Sequence, residues 1–452
     1  MRMVDIISKK KTGQIHSEEE INFLIKGMLD GSIPDYQLSA WLMSVCLKGM
    51  TFDESAMLTQ AMAESGDMLD LSELGDCIID KHSTGGVGDK ATLILAPLLA
   101  VAGFPVAKFS GRGLGFTGGT VDKLDAIPGF KTSLSNDEFF ARVKDIGVAI
   151  ACQTGNFTPA DKKLYELRDV TATIDSIPLI ASSVMSKKLA AGANAIVLDV
   201  KCGSGAFMNT LDEARELSKT MVEIGKRSGR LMSAVITSMD QPLGNTIGNG
   251  IEVFESIQTL KNEGPEDLTE LCLCLGAIGL VTARKTKTIE EGKKHLSKFL
   301  ENGQAYEKFL EMVKSQGGNP EYIENPEKLY ETEFAFNLES EEAGYVEKLD
   351  ALTIARASKI LGTGRDKKED SINYNAGIFL NKKIGDKVSK GEVLAKIFAN
   401  SVEEGQKSRE MLAKAFKLSE NPVEPPALML DIIGSTTGSC SSECCDNCNC
   451  KG

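Results

Sequence analysis

Two glycine-rich stretches hold most of the residues that could do chemistry. The first, DKHSTGGVGDKAT, runs from Asp80 to Thr92 and follows the short apolar run CIID. The second leaves the run PVAKF and continues SGRGLGFTGGT from Ser110 to Thr120. Each reads as strand, bare loop, helix, with helices expected from about Asp89 and Thr120. That arrangement aims unpaired backbone N–H groups at an anion. Glycine is needed because a Cβ would block close approach and positive φ. Lys81, Ser83 and Thr92 add an ammonium and two hydroxyls to the first loop; Ser110, Arg112, Thr117 and Thr120 flank the second. One such loop also fits a tight turn with a polar rim. Two of them, leaving strands of one sheet at the carboxyl ends, sit where open α/β sheets bind ligands. The pair predicts a phosphate site.

Two familiar phosphate motifs fit poorly. A P-loop ends in Gly-Lys-Ser/Thr, whereas Lys90 lies between Asp89 and Ala91. Gly113, Gly115 and Gly118 satisfy G-x-G-x-x-G, but the acidic residues about 20 positions on, Asp137 and Glu138, open a helix rather than end a strand. A third cluster lies in LYELRDVTATIDSIPLIASSVMSKKLAAG. Pro178 suits the first turn of a helix, which places Ser183 and Lys187 four apart on one face. Leu179, Ile180, Val184, Met185 and Leu189 make that helix apolar on most sides. Lys187 is therefore expected to be partly buried, with a partner or a job; a lysine reaching out at a helix rim is the bland reading. Arg168 offers a permanently charged planar fork. His82, inside the first loop, suits an acid or orienting role. His16 and His295 lie in polar helical contexts and are expected at the surface.

The elements that must position these groups are legible. Residues 1–65 read as a helical domain, with capping boxes at Ser17/Glu20 and Thr51/Glu54. Residues 70–158 and 193–330 alternate short apolar runs with helical segments, which predicts a mostly parallel α/β domain. Residues 159–192 read as helical again, a second segment of the helical domain. Residues 331–433 alternate apolar and polar residues around turns, a C-terminal α+β domain with one helix near 351–362. The fold class is thus α/β, flanked by a small all-helical domain in two segments and a C-terminal α+β domain.

Bulk properties narrow the function. The chain has 452 residues, 42% hydrophobic and 25% charged, enough for about three domains of ordinary globular composition. A net charge of −13 argues against broad binding to nucleic acid or anionic membrane. No secretory signal pattern opens the sequence, and the apolar stretch 91–107 is broken by Pro97, Gly103 and Pro105. A cytoplasmic location is the default. Cys46, Cys77, Cys152, Cys202, Cys272 and Cys274 lie in apolar surroundings, as reduced core cysteines do. Cys440, Cys444, Cys445, Cys448 and Cys450 crowd a Cys-rich tail at 434–452, expected to be disordered. Its C-x-x-C spacing fits either a metal pair or an appendage without catalytic role.

SGRGLGFTGGTVDKLDAIPGF resembles the signature of the thymidine and pyrimidine-nucleoside phosphorylase family. DKHSTGGVGD, RDVTATIDSIPLI, SKK and DVKCGSGAFM resemble further segments of it, so the likeness covers about 1–433 in order. The resemblance implies reversible phosphorolysis of a pyrimidine nucleoside to free base and pentose 1-phosphate, in nucleoside salvage. It implies phosphate against Lys81, Ser83, Thr92, Lys108, Ser110 and Thr120. It places the base against Arg168, Ser183 and Lys187, with His82 near its O2, and makes His82, Arg168 and Lys187 the catalytic set. Lys108 resembles the broad members of the family, which favours both uridine and thymidine. The resemblance also implies a potassium ion at Gly88, Lys90, Leu243, Thr246 and Glu255, no organic cofactor, and a homodimer formed through the helical domain. Three positions depart from the family pattern. Phe116 stands where histidine is usual, Asp125 replaces glutamate, and Lys90 replaces a small residue at the ion position. If the ion takes only the carbonyl of residue 90, nothing is lost; a nearby ammonium would weaken it. A phosphoribosyltransferase of related fold, a thymidine-specific phosphorylase and a nucleoside-binding protein without catalysis are the rival readings.

Overall fold

The structure is a computed structural model, and it describes residues 1–75, 77–113, 118–152, 156–365, 367 and 370–434. The chain opens with four helices, α1 (Met3–Lys11), α2 (Glu18–Leu29), α3 (Asp35–Lys48) and α4 (Phe52–Ala63). Both capping boxes form: Glu20 N donates to Ser17 Oγ at 3.3 Å, and Glu54 N to Thr51 Oγ1 at 3.1 Å. Each satisfies an orphan N–H of the first turn, which stabilises the helix by about 1 kcal/mol. The α2 stripe Ile21, Leu24, Ile25 and Met28 shares one buried cluster with Leu38, Trp41 and Leu42 of α3, and α2 itself lies against α4 and α8. His16 is not a surface residue: it is buried and accepts a hydrogen bond from Trp41 Nε1 at 3.1 Å. Its own backbone N–H donates to Glu54 Oε1, which also receives buried Lys10. The carboxylate that caps α4 thus draws this turn inward, and local polarity carried no sign of it. His295 is partly buried, edge-on to Phe299.

The central part follows as β1 (Ile79–Ser83), α5 (Ala91–Val101), β2 (Val106–Ser110), α6 (Thr120–Asp125), α7 (Asn136–Ile146) and β3 (Val148–Cys152). Helices α8 (Pro159–Asp169) and α9 (Ile177–Ala190) return to the bundle, where α9 packs on α4. The chain then re-enters the centre with β4 (Ala195–Cys202), α10 (Leu211–Arg227) and β5 (Leu231–Ser238). Strands β1, β4 and β5 are parallel, in register Ile79↔Ala195 and Ala195↔Leu231. Every residue of β4 is buried, as suits a central strand covered on both faces. Helix α9 also rests on α10, so bundle and sheet share a helical seam.

The two glycine loops do not leave one hydrogen-bonded sheet. Strand β2 pairs only with β3, also parallel, while β1 pairs with β4. What joins β1 to β2 is a side chain: Lys108 Nζ of β2 donates to Lys81 O at 2.6 Å and to Asp80 Oδ1 at 3.0 Å. A buried ammonium takes the place of a backbone ladder. The carboxyl ends still point the same way, so both loops open on one edge.

Beyond β5 come β6 (Thr246–Gly248), α11 (Gly250–Leu260), α12 (Glu266–Thr282), α13 (Ile289–Glu301), α14 (Gln304–Ser315) and a single turn, α15 (Glu321–Glu324). The last part holds β7 (Phe334–Glu339), β8 (Gly344–Leu349), α16 (Ala351–Ile360), β9 (Gly377–Leu380), β10 (Lys387–Val388), β11 (Val393–Ala399), α17 (Val402–Ala413), β12 (Phe416–Ser419) and β13 (Met429–Gly434). Two small antiparallel sheets result, ordered β6-β9-β11-β7 and β10-β8-β12. The segment is not closed on itself. Strand β6 crosses out to join its sheet, and β13 returns to pair antiparallel with β5. The Cys-rich segment, with Cys440, Cys444, Cys445, Cys448 and Cys450, lies outside the described residues.

Candidate active site

A cavity of about 470 Å³ opens between the bundle and the carboxyl ends of β1 and β2. The α/β side supplies His82, Ser83, Thr92, Lys108, Ser110 and Thr120; the bundle side supplies Tyr165, Arg168, Ile180, Ser183 and Lys187. All but Lys81 of the residues assigned to phosphate and base therefore line one cavity. The loop backbones need their glycines. Gly85 sits at φ +94°, in left-handed space. A Cβ on Gly119 would lie 2.2 Å from Gly113 N, closing the loop against itself. Asp122 fixes the same turn, accepting from Gly113 N at 2.6 Å and from Arg112 and Arg365 at 3.0 and 2.9 Å. Asp125 pairs with Arg112 and accepts from Thr132 Oγ1. Gly115, Phe116 and Thr117 lie outside the described residues.

Lys81 misses the cavity because β1 runs further than the sequence suggested. The strand covers Lys81, so alternation turns it away from its neighbours Asp80 and His82, while Ser83, where the strand ends, still reaches the cavity. Lys81 Nζ turns away to Asp199 at 3.0 Å and Asp89 at 3.6 Å, and Lys201 Nζ joins Asp199 at 2.8 Å. Two ammoniums meet two carboxylates there. The Asp89 and Asp199 charges hold the Lys81 ammonium above the ordinary lysine range, although its burial works the other way. This group braces the loop from beneath.

The opposite face of β1 is unbalanced. Buried Asp80 receives Lys108 at 3.0 Å and Lys188 at 2.8 Å, so one carboxylate serves two ammoniums. Both lysines line the cavity, beside His82. Burial and the neighbouring Lys188 lower Lys108 to about 7, against the pull of Asp80. Burial, with Lys188 and Lys108 alongside, holds His82 well below its usual value, so its imidazole is neutral at pH 7. A neutral ring still donates one N–H and accepts at the other nitrogen. The result is a pocket in which two lysines share one carboxylate beneath two bare loops, so a bound anion would restore the charge that burial takes from Lys108. Sequence reading passed over Asp80 and Lys188. Lys188 stood next to the noticed Lys187, and helical geometry turns adjacent residues about 100° apart, toward different neighbours.

At the bundle end the donors are directional. Lys187 Nζ donates to Ser183 O and Oγ at 2.9 and 3.1 Å and pairs closely with Asp161. Arg168 is buried, and its guanidinium donates to the carbonyls of Thr173, Ile174 and Leu179 at 3.2, 2.7 and 3.2 Å. That fork pins the 173–179 turn over the cavity and leaves the Arg168 charge facing Tyr165, 5.9 Å from its ring. Asp161, on α8, is a partner that no spacing from Lys187 announced.

The five residues assigned to a potassium ion do converge, but around an ammonium. Lys90 Nζ lies 3.1 Å from Leu243 O, 3.0 Å from Thr246 O and 2.5 Å from Glu255 Oε2. Gly88, at φ +72°, closes the same nest; a Cβ there would sit 2.6 Å from Leu243 O. The residues present do not fit a potassium ion, because a covalently attached cation already takes up their oxygens. Among the described residues no cluster of three or more His, Cys, Asp or Glu is placed to hold a metal, and no helix is long and apolar enough to cross a membrane.

Comparison with known proteins agrees with this architecture. Residues 4–66 match the model for the helical bundle domain of a glycosyl transferase family, and 75–306 match its a/b domain. Residues 345–419 match the pyrimidine nucleoside phosphorylase C-terminal domain. The pyrimidine-nucleoside phosphorylase of Geobacillus stearothermophilus is 50% identical over 433 residues, 96% of this chain and 100% of the relative. That of Bacillus subtilis (strain 168) is 53% identical over 416 residues, 92% of this chain and 95% of the relative. Among solved structures, an anthranilate phosphoribosyltransferase from Thermus thermophilus shares the fold, at a TM-score of 0.57 and 19% identity over 69% of this chain and 98% of that one. With half of its residues identical along the full length of such a relative, the chain belongs to the pyrimidine-nucleoside phosphorylase family.

Proposed function

We propose that the chain catalyses the reversible phosphorolysis of uridine, thymidine and deoxyuridine to the free base and (2-deoxy-)α-D-ribose 1-phosphate. The observation that carries this is the surplus of basic groups at Asp80: two cavity-lining lysines share one buried carboxylate, under two glycine loops. Inorganic phosphate would neutralise that surplus, held by Lys108 and the hydroxyls of Ser83, Thr92, Ser110 and Thr120. Lys188 joins this set, and Lys81 acts through Asp199 and Asp89 as a brace. The base would lie at the far end against Arg168, Ser183 and Lys187.

The chemistry follows from that placement. The bond from the sugar C1′ to the pyrimidine N1 breaks, and its electron pair leaves with the base. An oxygen of HPO4²⁻ forms the new bond to C1′ from the opposite face, and the proton that the phosphate gives up ends on the departing base. Positive charge builds on the sugar beside the phosphate dianion. Negative charge builds on the base, where Arg168, Lys187 and a neutral His82 N–H at O2 oppose it. Donors fixed before the reaction stabilise that charge without reorganising, an effect of about 10²–10³ in rate for each donor. Holding phosphate and nucleoside in line removes entropy from the barrier. Because the two ends come from bundle and sheet, closure about the α9–α10 seam would bring them together and expel water.

Incubation with uridine or thymidine, with and without phosphate, tests this. Base released only with phosphate, from both nucleosides, supports it; thymidine alone would make the enzyme thymidine-specific, and no release contradicts it. A phosphoribosyltransferase would need free carboxylates for magnesium and pyrophosphate, yet Asp89 and Asp122 are both engaged in ion pairs. The proposal extends to a cytoplasmic, salvage-type enzyme acting as a homodimer through the bundle. Exposed Tyr36, Met43 and Leu47 on one face of α3 support that dimer.

A further inference from the structure

We propose that Lys90 is a built-in substitute for a monovalent cation, and that this protein therefore needs no potassium. The ammonium is buried, with its side chain 0% exposed. It stands at the N-cap of α5, straight after the first glycine loop. Its three oxygen partners come from the β5–β6 connection (Leu243), the first residue of β6 (Thr246) and α11 (Glu255). Three oxygens at hydrogen-bond distance match the three N–H bonds of an ammonium.

The cage is electrically closed. Glu255 accepts from Asn245 N at 2.8 Å, from Thr246 N and Oγ1 at 3.3 and 2.9 Å, and from Lys90. One carboxylate meets one ammonium, so a second cation would add an uncompensated buried charge. A side chain on Gly244 would strike both members, at 2.4 Å from Glu255 Oε2 and 3.0 Å from Lys90 Nζ. The same connection is held from the other side by Lys383, which donates to Pro242 O, Gly244 O and Asp267.

The consequence is mechanical. Strand β6 belongs to the C-terminal sheet, whereas α5 carries the first glycine loop. The Lys90 bridge fixes that loop to the C-terminal part without a dissociable ion. A small residue at position 90 would leave the carbonyls and Glu255 facing an empty cation-sized space.

Thermal unfolding of the full chain tests this without substrate, so its failure is distinct from failure of the phosphorylase reading. Ionic strength is held constant with potassium, sodium or tetramethylammonium chloride. The wild-type melting temperature and its kcat/KM for uridine should be the same in all three salts. Lys90→Ser should melt lower in tetramethylammonium chloride and recover saturably with potassium, by about 3 °C or more. A potassium-dependent wild type, or a folded Lys90→Ser indifferent to potassium, would overturn the proposal. Should Lys90→Ser not fold in any salt, thallium(I) soaked into wild-type crystals decides: an anomalous peak within reach of Leu243 O and Thr246 O refutes it, and its absence there supports it.

Discussion

Two buried carboxylates, Asp80 and Glu255, each hold lysine, and they behave oppositely. Asp80 has two ammoniums and opens on the cavity. Glu255 has one ammonium, takes three further donors, and is sealed. The first cluster is short of negative charge, and burial, with Lys188 adding to it, lowers Lys108 to about 7. The second is complete. The lesson is that burial of a lysine does not mark a site; an uncompensated balance beside open space does. The Lys81 and Lys201 group, with two carboxylates for two ammoniums, falls on the structural side of that line.

The comparison can be broken most forcefully at Glu255. Glu255→Gln leaves Lys90 buried without a counter-charge, and removal of one partner of a buried pair costs about 3–5 kcal/mol. Chemical denaturation should show that loss, and phosphate should not restore it. Asp80→Asn makes the contrast: it also destabilises, but phosphate or sulfate should recover much of the loss because an anion supplies the missing charge. Equal responses of the two variants to phosphate would erase the distinction.

Next in size is Lys108→Met. It should lower kcat/KM for phosphate by about 10²–10³, the usual cost of a preorganised donor, while the anion-free protein melts modestly lower because the Lys108 link from β2 to Lys81 O and Asp80 is lost. Steady-state kinetics with phosphate varied, together with a melting curve, checks both halves. A large loss of stability with little loss of rate would make Lys108 a structural residue.

How much of this was legible in sequence depended on the physics of each feature. The capping boxes, the alternating runs and both glycine loops are local patterns, and the helices and strands form where those patterns fall. The direction of Lys81 was readable in principle: had β1 been extended through Ser83, alternation would have separated Lys81 from His82. His16 and Lys90 were not readable that way. The partners of His16 lie 25 and 38 residues along the chain, and those of Lys90 lie 153 or more. A long flexible side chain also reaches wherever folding has left oxygens unpaired. The resemblance implied an ion at Gly88, Lys90, Leu243, Thr246 and Glu255; those residues converge, with the Lys90 ammonium seated among the oxygens of Leu243, Thr246 and Glu255.

A smaller effect is a pH dependence. The folded value of Lys108, about 7, lies below its unfolded value near 10.4. Between those limits the unfolded chain binds the extra proton, so the anion-free protein gains stability from this group as pH rises through that window. Sulfate, which does not titrate there, should raise the melting temperature most below about pH 7 and progressively less above it. The smallest expected change is at Lys188→Met. Lys188 helps hold Lys108 down, so removing it should move the fall in the sulfate effect to higher pH. A fall at unchanged pH would assign the lowering to burial alone.

The most direct test is calorimetric titration of sulfate into the wild-type protein at pH 8, in two buffers of different ionisation enthalpy. The account predicts binding with uptake of close to one proton, because Lys108 must recharge to meet the dianion, and no such uptake in Lys108→Met. Absence of binding, or binding with no proton taken up by the wild type, would contradict it.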